Sequence, residues 1–327
     1  MERKSDSLHV WAEALCSSGD RISLFSHKSP DGDTLGAALA LRLALQSLGK
    51  TVSVFCADPV PQSLCFLKGA QTVQTVCASE AQKTCLTVAV DVSSPELMGV
   101  LLPAFESGEK RMVIDHHATN PLFGDLNYVR GGESSCCLLA FEVIRELGVA
   151  VDADMATCLL LGMSTDTGHF RYANTSAQTL QAAAELMGCG ADIADISSRM
   201  YRMQPLKKIE LTRIALNSLH FGAGHRLGII WLRKEDYERT GCTYGEADGL
   251  VNLALEIEGV RMAFLLSERD DGIKASLRAM EPDTVNDIAY ALGGGGHAQA
   301  AGCTLKMPIE KAEAEILSRM LNKLGEE

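Results

Sequence analysis

Four short apolar runs dominate the first part of this chain: RISLFS at 21–26, TVSVFC at 51–56, LTVAVD at 86–91 and RMVID at 111–115. Each has the length and composition of a buried strand, and helical or loop segments separate them. The first is followed by a helical pattern from about Thr34 to Leu48, closed by Gly49, so strand and helix open a βαβ unit. Residues 134–148, 153–165 and 176–188 read as three more helices, the last ended by the Gly188 to Gly190 region. Strands alternating with helices predict an α/β fold with a mainly parallel sheet covered by helices.

At 327 residues the chain is too long for one ordinary core and suits two domains. The first is expected over 1–190. Residues 191–218 are helical and more charged, with a break at Pro205, and suit a helical linker. A smaller α/β domain is expected over 219–327, with strands at 227–232, near 260–267 and near 273–278, and helices near 246–256, at 284–292 and at 309–324.

Hydrophobic residues at 46% and charged residues at 22% exclude disordered and fibrous classes. No apolar run reaches the ~18–20 residues that span a bilayer, and charges interrupt the N-terminal MERKSDSLHVWAE, so a cytoplasmic protein is expected. Eleven cysteines without a CxxC pair, among them Cys85, Cys158 and the adjacent Cys136 and Cys137, read as buried reduced thiols. Thirty basic against forty-two acidic residues give a net charge of −12, which argues against coating long DNA or RNA. A small anionic substrate held at one site stays compatible, since a metal can reverse the local charge.

The chemistry concentrates at the ends of the apolar runs. SHKSPDGDTLGA at 26–37 places His27, Asp31 and Asp33 on a loop between strand and helix. Loops beyond the carboxyl ends of parallel strands are where ligands collect, although H-x3-D-x-D alone is also compatible with an ordinary turn. Asp91 ends another run, Asp115, His116 and His117 end the next, and Asp166 ends a helical segment. Five carboxylates and three histidines on one edge would repel one another unless cations held them. Mixed imidazole and carboxylate ligands favour Mn(II), with Zn(II), Co(II) or Fe(II) as alternatives and calcium disfavoured. Two such ions about 3.5–4 Å apart, bridged by a carboxylate, would activate water and neutralise a phosphate.

Taken together, the chain resembles the DHH-family phosphoesterases, whose namesake motif stands here as Asp115-His116-His117. The second half resembles the DHH-associated domain, with GLVN at 249–252, SLR at 276–278 and GGGGHAQAAG at 293–302. The resemblance implies one metal on His27, Asp31 and Asp91 and another on Asp33, Asp91, His116 and Asp166. Asp115 would orient His116, and His117 would face the scissile phosphate. In the second domain Gly293, Gly294, Gly295, Gly296 and His297, with Arg278, would hold a phosphate or sugar.

Further residues are weaker candidates. His169, Phe170 and Arg171 follow Asp166 and could line the cleft, with a packed Phe170 and a solvated Arg171 as the alternative. Ser134 and Ser135 read as helix caps, and His9, His220 and His225 as structural or exposed. Two-domain chains of this length resemble the branch that hydrolyses short oligoribonucleotides (nanoRNA) and 3′-phosphoadenosine 5′-phosphate (pAp). The alternatives are a cyclic- or linear-dinucleotide phosphodiesterase and, in another class, a catalytically silent nucleotide sensor. Expected partners are therefore short nucleotides, with no membrane; a homodimer is allowed.

Overall fold

The computed structural model describes residues 5–75 and 86–325, and the chain divides into two compact units, Met1–Met203 and Gln204–Glu327. The division falls inside the stretch read as a linker.

In the first unit the elements run α1 (Leu8–Ser17), β1 (Arg21–Phe25), α2 (Gly32–Ser47), β2 (Thr51–Phe55), β3 (Leu86–Val90), α3 (Leu102–Glu106), β4 (Lys110–Asp115), β5 (Leu126–Val129), α4 (Cys136–Glu146), α5 (Ala153–Asp166), α6 (Ala177–Gly188) and α7 (Ile193–Ser197). Five strands form one sheet in the order β2-β1-β3-β4-β5, every pair parallel. The apolar runs are continuous because both faces of this sheet are covered. Val88, Val90, Met112 and Ile114 pack on one side with α2, α4 and α5, while Phe25, Ala89 and Val113 pack on the other with Met98 and Phe105.

Helix α2 is buried almost all round, from Gly32 to Leu41 and again at Ala44 and Leu45. Its small residues let it approach α5 closely: a Cβ on Gly36 would lie 2.4 Å from the Cys158 carbonyl oxygen. The strand order places the reversal of direction at β1, flanked by β2 on one side and β3 on the other, and ligands bind outside the strand ends at such a switch point.

The second unit contains α8 (Leu206–Ser218), β6 (His220–Gly222), β7 (Leu227–Leu232), α9 (Lys234–Thr240), α10 (Asn252–Leu255), β8 (Met262–Arg269), β9 (Gly272–Ala279), α11 (Asn286–Ala291), β10 (Gly295–Gly296), β11 (Ala300–Leu305) and α12 (Ile309–Leu324). Its six-stranded sheet has the order β10-β11-β9-β8-β7-β6 and is mixed, with β7 and β8 parallel.

Elements α1, β5, β6, α9, β10 and β11 were not expected from the sequence, and the single helix expected near 246–256 is a 3-10 turn, Tyr244–Ala247, followed by the short α10. Strand β11, AAGCTL, is poor in β-branched residues and forms because β9 supplies a full antiparallel register from Ala300 opposite Arg278 to Leu305 opposite Ile273. Tertiary pairing overrides weak propensity there.

The thiols divide as well. Cys56, Cys136, Cys137, Cys158, Cys242 and Cys303 are buried, whereas Cys16 and Cys189 are exposed, contrary to a uniformly buried set; Cys85 lies outside the described residues. Among the described residues no helix is long and apolar enough to cross a membrane.

Candidate metal centre

Adjacent strands β1, β3 and β4 bring three loops side by side. His27 lies just past β1, Asp91 just past β3, and Asp115 ends β4 with His116 and His117 beyond it. Asp31 caps α2, its Oδ1 accepting the backbone N–H of Asp33 and Thr34 at 3.0 Å each. This cap faces the carboxylate toward the strand ends and places Asp33 in the first helical turn. Asp166 arrives from the C-terminal end of α5.

The ring nitrogen Nε2 of His27 is 3.7 Å from Asp31 Oδ1 and 3.6 Å from Asp91 Oδ2. Nε2 of His116 is 3.5 Å from Asp91 Oδ1, 3.8 Å from Asp33 Oδ2 and 3.4 Å from Asp166 Oδ2. Three overlapping sets could each hold a cation: His27, Asp31 and Asp91; Asp33, His116 and Asp166; and Asp91, His116 and His117. Asp91 joins the first set to the third. Its two oxygens face different histidines, and Oδ1 is buried without a hydrogen-bond partner. A buried carboxylate oxygen left unpaired is costly, so the donor set fits a cation.

The electrostatics agree. Asp33 is pushed up to about 7 by burial and by the charge of Asp91, even though its carboxylate accepts the backbone N–H of Cys136 at 2.6 Å and of Cys137 at 2.8 Å, where α4 begins. Asp166 is raised well above the usual carboxylate range by burial and by Asp33, and it sits at the negative end of a helix. Burial opposes a charged His27, but the hydrogen bonds it donates to Asp31 and Asp91 outweigh it and lift the imidazole to about 11. Burial likewise opposes a charged His116, and attraction from Asp91, Asp33 and Asp166 raises it to about 10. Without a cation the cluster holds protons in its place.

The second nitrogen of each histidine is fixed locally. Nδ1 of His27 pairs with the Lys28 carbonyl at 2.8 Å and that of His116 with the Glu133 carbonyl at 3.0 Å, leaving Nε2 as the ligand atom. Asp115 was expected to orient His116, but the structure corrects this. From His116 its fully buried carboxylate accepts the backbone N–H alone, at 2.9 Å, and the ring it holds is that of His117, through Nδ1 at 2.7 Å. Glu133 does the work for His116 through a main-chain carbonyl, which side-chain identity could not reveal.

Backbone strain marks the same place. Asp91 has φ 59°, a left-handed conformation that costs free energy for a residue other than glycine and persists where the surroundings impose it. Gly162 on α5 leaves room for the cluster, because a Cβ there would meet Cys137 Sγ at 2.2 Å and Asp33 Oδ1 at 2.9 Å.

The weaker candidates separate cleanly. Ser135 caps α4 by accepting the N–H of Leu138, and Phe170 packs against the core while Arg171 is exposed. His169 pairs with Ser164 Oγ at 2.9 Å, and His9 and His220 face Glu146 and Glu313.

In the second unit Arg278 on β9 lies opposite Ala300, at the same sheet end as the turn that carries His297. That turn is closed by His297 N–H to the Ala300 carbonyl at 2.8 Å and Ala300 N–H to the His297 carbonyl at 3.2 Å. The glycine run packs tightly on its own sheet: a Cβ on Gly294 would meet the Gly302 carbonyl oxygen at 2.1 Å, and one on Gly296 the Ala300 carbonyl oxygen at 2.5 Å. The amides of Gly293 and Gly294 donate to Tyr290 and Ala289. Much of the requirement for glycine is therefore close packing, and those two N–H groups are already engaged by carbonyls at the end of α11.

Comparison with known proteins agrees with this architecture. Residues 21–163 match the DHH family, N-terminal domain, and residues 232–326 match the DHHA1 domain. The chain is 33% identical over 321 residues to the bifunctional oligoribonuclease and PAP phosphatase NrnA of Thermus thermophilus, covering 98% of this chain and 95% of that protein. It is 27% identical over 289 residues to the protein of the same name from Bacillus subtilis, covering 88% and 90%. The crystal structure of an exopolyphosphatase-related protein from Bacteroides fragilis superposes with a TM-score of 0.88 at 26% identity, covering 96% of this chain and 94% of the other. With both domains matched in order and a relative alike along nearly its whole length, this chain belongs to the DHH family.

Proposed function

We propose that the chain is a hydrolase of phosphate esters that uses two divalent ions, preferentially Mn(II), and cuts short oligoribonucleotides and pAp. The observation that carries the reading is Asp91, whose two carboxylate oxygens face two separate histidines while one of them lacks any hydrogen bond. One ion would be held by His27, Asp31 and Asp91, and the other by Asp33, Asp91, His116 and Asp166. When bound, such ions supply Lewis acidity, activating water near neutral pH and offsetting phosphate charge.

The chain's own groups do the rest. Asp91 shares one carboxylate between the two ligand sets, and the α4 amides hold the Asp33 carboxylate in a fixed orientation. With Nδ1 engaged by Asp115, His117 can use Nε2 to stabilise charge on the phosphate in flight. Arg278 and His297 of the second unit would grip the end of the nucleotide remote from the cut. The relatives' names support short RNA and pAp as substrates, and a net charge of −12 suits a substrate that needs no long basic track.

The test is one panel with Mn(II): pAp, dinucleotides to pentanucleotides, a strand of about 25 nucleotides, cyclic dinucleotides and pyrophosphate. Highest kcat/KM on pAp and on the short RNAs supports the reading. Preference for cyclic dinucleotides or for the long strand overturns its substrate assignment, and no hydrolysis of any phosphate ester overturns its chemistry.

A further inference from the structure

Asn120 is buried in the turn that follows the DHH motif, and every polar atom of its amide is engaged. Its Nδ2 donates to Asp115 Oδ2 at 2.6 Å and to the Val92 carbonyl at 2.9 Å. Its Oδ1 accepts the backbone N–H of Leu122 at 2.8 Å. Val92 directly follows Asp91, so one side chain ties the loop after β3 to the end of β4.

We infer that Asn120 is a positioning residue that acts through His117, by fixing the Asp115 carboxylate that holds the imidazole. The inference rests on the reading of His117 given above. Asp115 Oδ1 is occupied by the His116 N–H and by His117 Nδ1, at 2.9 and 2.7 Å. Its other oxygen is held by Asn120, and without that donor the carboxylate could rotate about its side chain and carry the His117 ring with it. The residue type follows from the count of hydrogens. Two acceptors in different loops need two donors on one nitrogen, which a primary amide has and a carboxylate or single hydroxyl lacks. Glutamine would add a methylene to a buried site.

A purely structural role would rest on the turn, in which Oδ1 accepts from the residue two positions on, and on the tie to the Val92 carbonyl, neither of which acts through His117. Aspartate makes that turn equally well. Asn120→Asp therefore keeps the turn and removes both N–H donors; because the protonated acid would still offer one O–H to the neighbouring Asp115 carboxylate, its kcat is read as a pH profile, and it is the informative variant even if Asn120→Ala fails to fold. Asn120→Asp should lower kcat on pAp roughly 10- to 100-fold, the range expected when a catalytic group is misplaced by a fraction of an ångström to one ångström, with KM and Mn(II) content little changed.

The cycle with His117→Ala is decisive. If Asn120 works through His117, adding Asn120→Asp to His117→Ala produces no further loss of kcat. Multiplicative losses in the double variant, or wild-type kcat in Asn120→Asp across the whole pH profile, overturn the inference while leaving the function of the site intact. Loss of Mn(II) from Asn120→Asp, read by metal analysis, also overturns it, because Asn120 would then serve the ligand set. Wild-type kcat in His117→Ala alone overturns both this inference and the role given to His117.

Discussion

Asp115 Oδ1 lies 2.7 Å from His117 Nδ1, whereas Asp91 Oδ1 is 3.7 Å from that same nitrogen. The nitrogen that could reach a cation beside Asp91 is thus already hydrogen-bonded elsewhere. His116 is arranged the other way: Nδ1 is tied to a main-chain carbonyl, and Nε2 faces Asp33, Asp91 and Asp166. Adjacent histidines therefore take different parts.

His116→Ala should lose bound metal, whereas His117→Ala should keep it and fall in turnover by roughly 10²–10³, the cost of one charge-stabilising donor. Metal analysis beside kcat on the same samples decides. Equal metal loss in both variants would place His117 among the ligands.

Asp91→Asn conserves volume and removes the charge that two ligand sets share. Turnover should fall by orders of magnitude and metal content should drop with it. The fold should survive, since an unpartnered oxygen contributes no hydrogen bond to it. Circular dichroism and metal content measured together check this, and near-normal hydrolysis would refute a shared carboxylate.

Much of this side-chain cluster was legible in the sequence because its candidate ligands stand at the ends of apolar runs. His27, Asp91 and His116 converge simply because β1, β3 and β4 are neighbours. What could not be read belongs to the main chain or to packing. The α4 amides that bind Asp33, the Glu133 carbonyl that fixes His116 and the left-handed backbone at Asp91 depend on three-dimensional position and not on side-chain identity. The glycine run carries a second requirement of the same kind: beside the backbone approach to a phosphate expected from it, Gly294 and Gly296 are needed to pack against the neighbouring strand.

The protonation of the metal-free cluster gives a pH prediction. Asp33 is raised from 3.8 to about 7 by burial and Asp91. His27 and His116 rise from 6.5 to about 11 and about 10, burial opposing and the carboxylates prevailing. Each folded value lies above the unfolded one, so the metal-free fold binds extra protons. That stabilisation is complete below the unfolded pKa and is lost as pH climbs through the folded one: between 3.8 and about 7 for Asp33, and between 6.5 and about 11 for His27. Asp31, lowered from 3.8 despite burial because His27 hydrogen-bonds it, is ionised in both states near neutrality and adds no slope there. A divalent cation displaces these protons, so its affinity should rise with pH. The gap in Tm between loaded and metal-free protein should accordingly widen from about pH 6 to about pH 8. Titration calorimetry in buffers of different ionisation enthalpy should show proton release on Mn(II) binding; proton uptake or a narrowing gap would contradict the assignment.

The contact between α2 and α5 tolerates no added methyl group. Gly36→Ala would drive a Cβ to 2.4 Å from a carbonyl oxygen, and backbone cannot yield as a side chain can, so the variant should lose about 1–3 kcal/mol of stability. Gly162→Ala would press on Cys137 Sγ and on the Asp33 carboxylate, so it should lose metal affinity as well. Denaturation midpoints and Mn(II) titrations of both variants separate the two effects. Unchanged affinity in Gly162→Ala would show that Asp33 can shift without harm.

Among the described residues every candidate ligand lies in the first unit, from His27 to Asp166, and Arg278 and His297 lie in the second. His297→Ala should therefore leave metal content unchanged. Its effect on catalysis should depend on whether the substrate has a remote end to grip. Binding energy from a non-reacting part of a substrate can be used to place the reacting phosphate, so the variant should raise KM for pAp and can lower kcat as well. Bis-p-nitrophenyl phosphate has no such end, and its hydrolysis should be nearly unaffected. The ratio of kcat/KM for the two substrates, wild type against variant, is then the quantity to measure, because a general loss of folded enzyme cancels from it. If both substrates suffer equally, or if metal is lost, His297 belongs with the reacting centre and the second unit is more than a clamp.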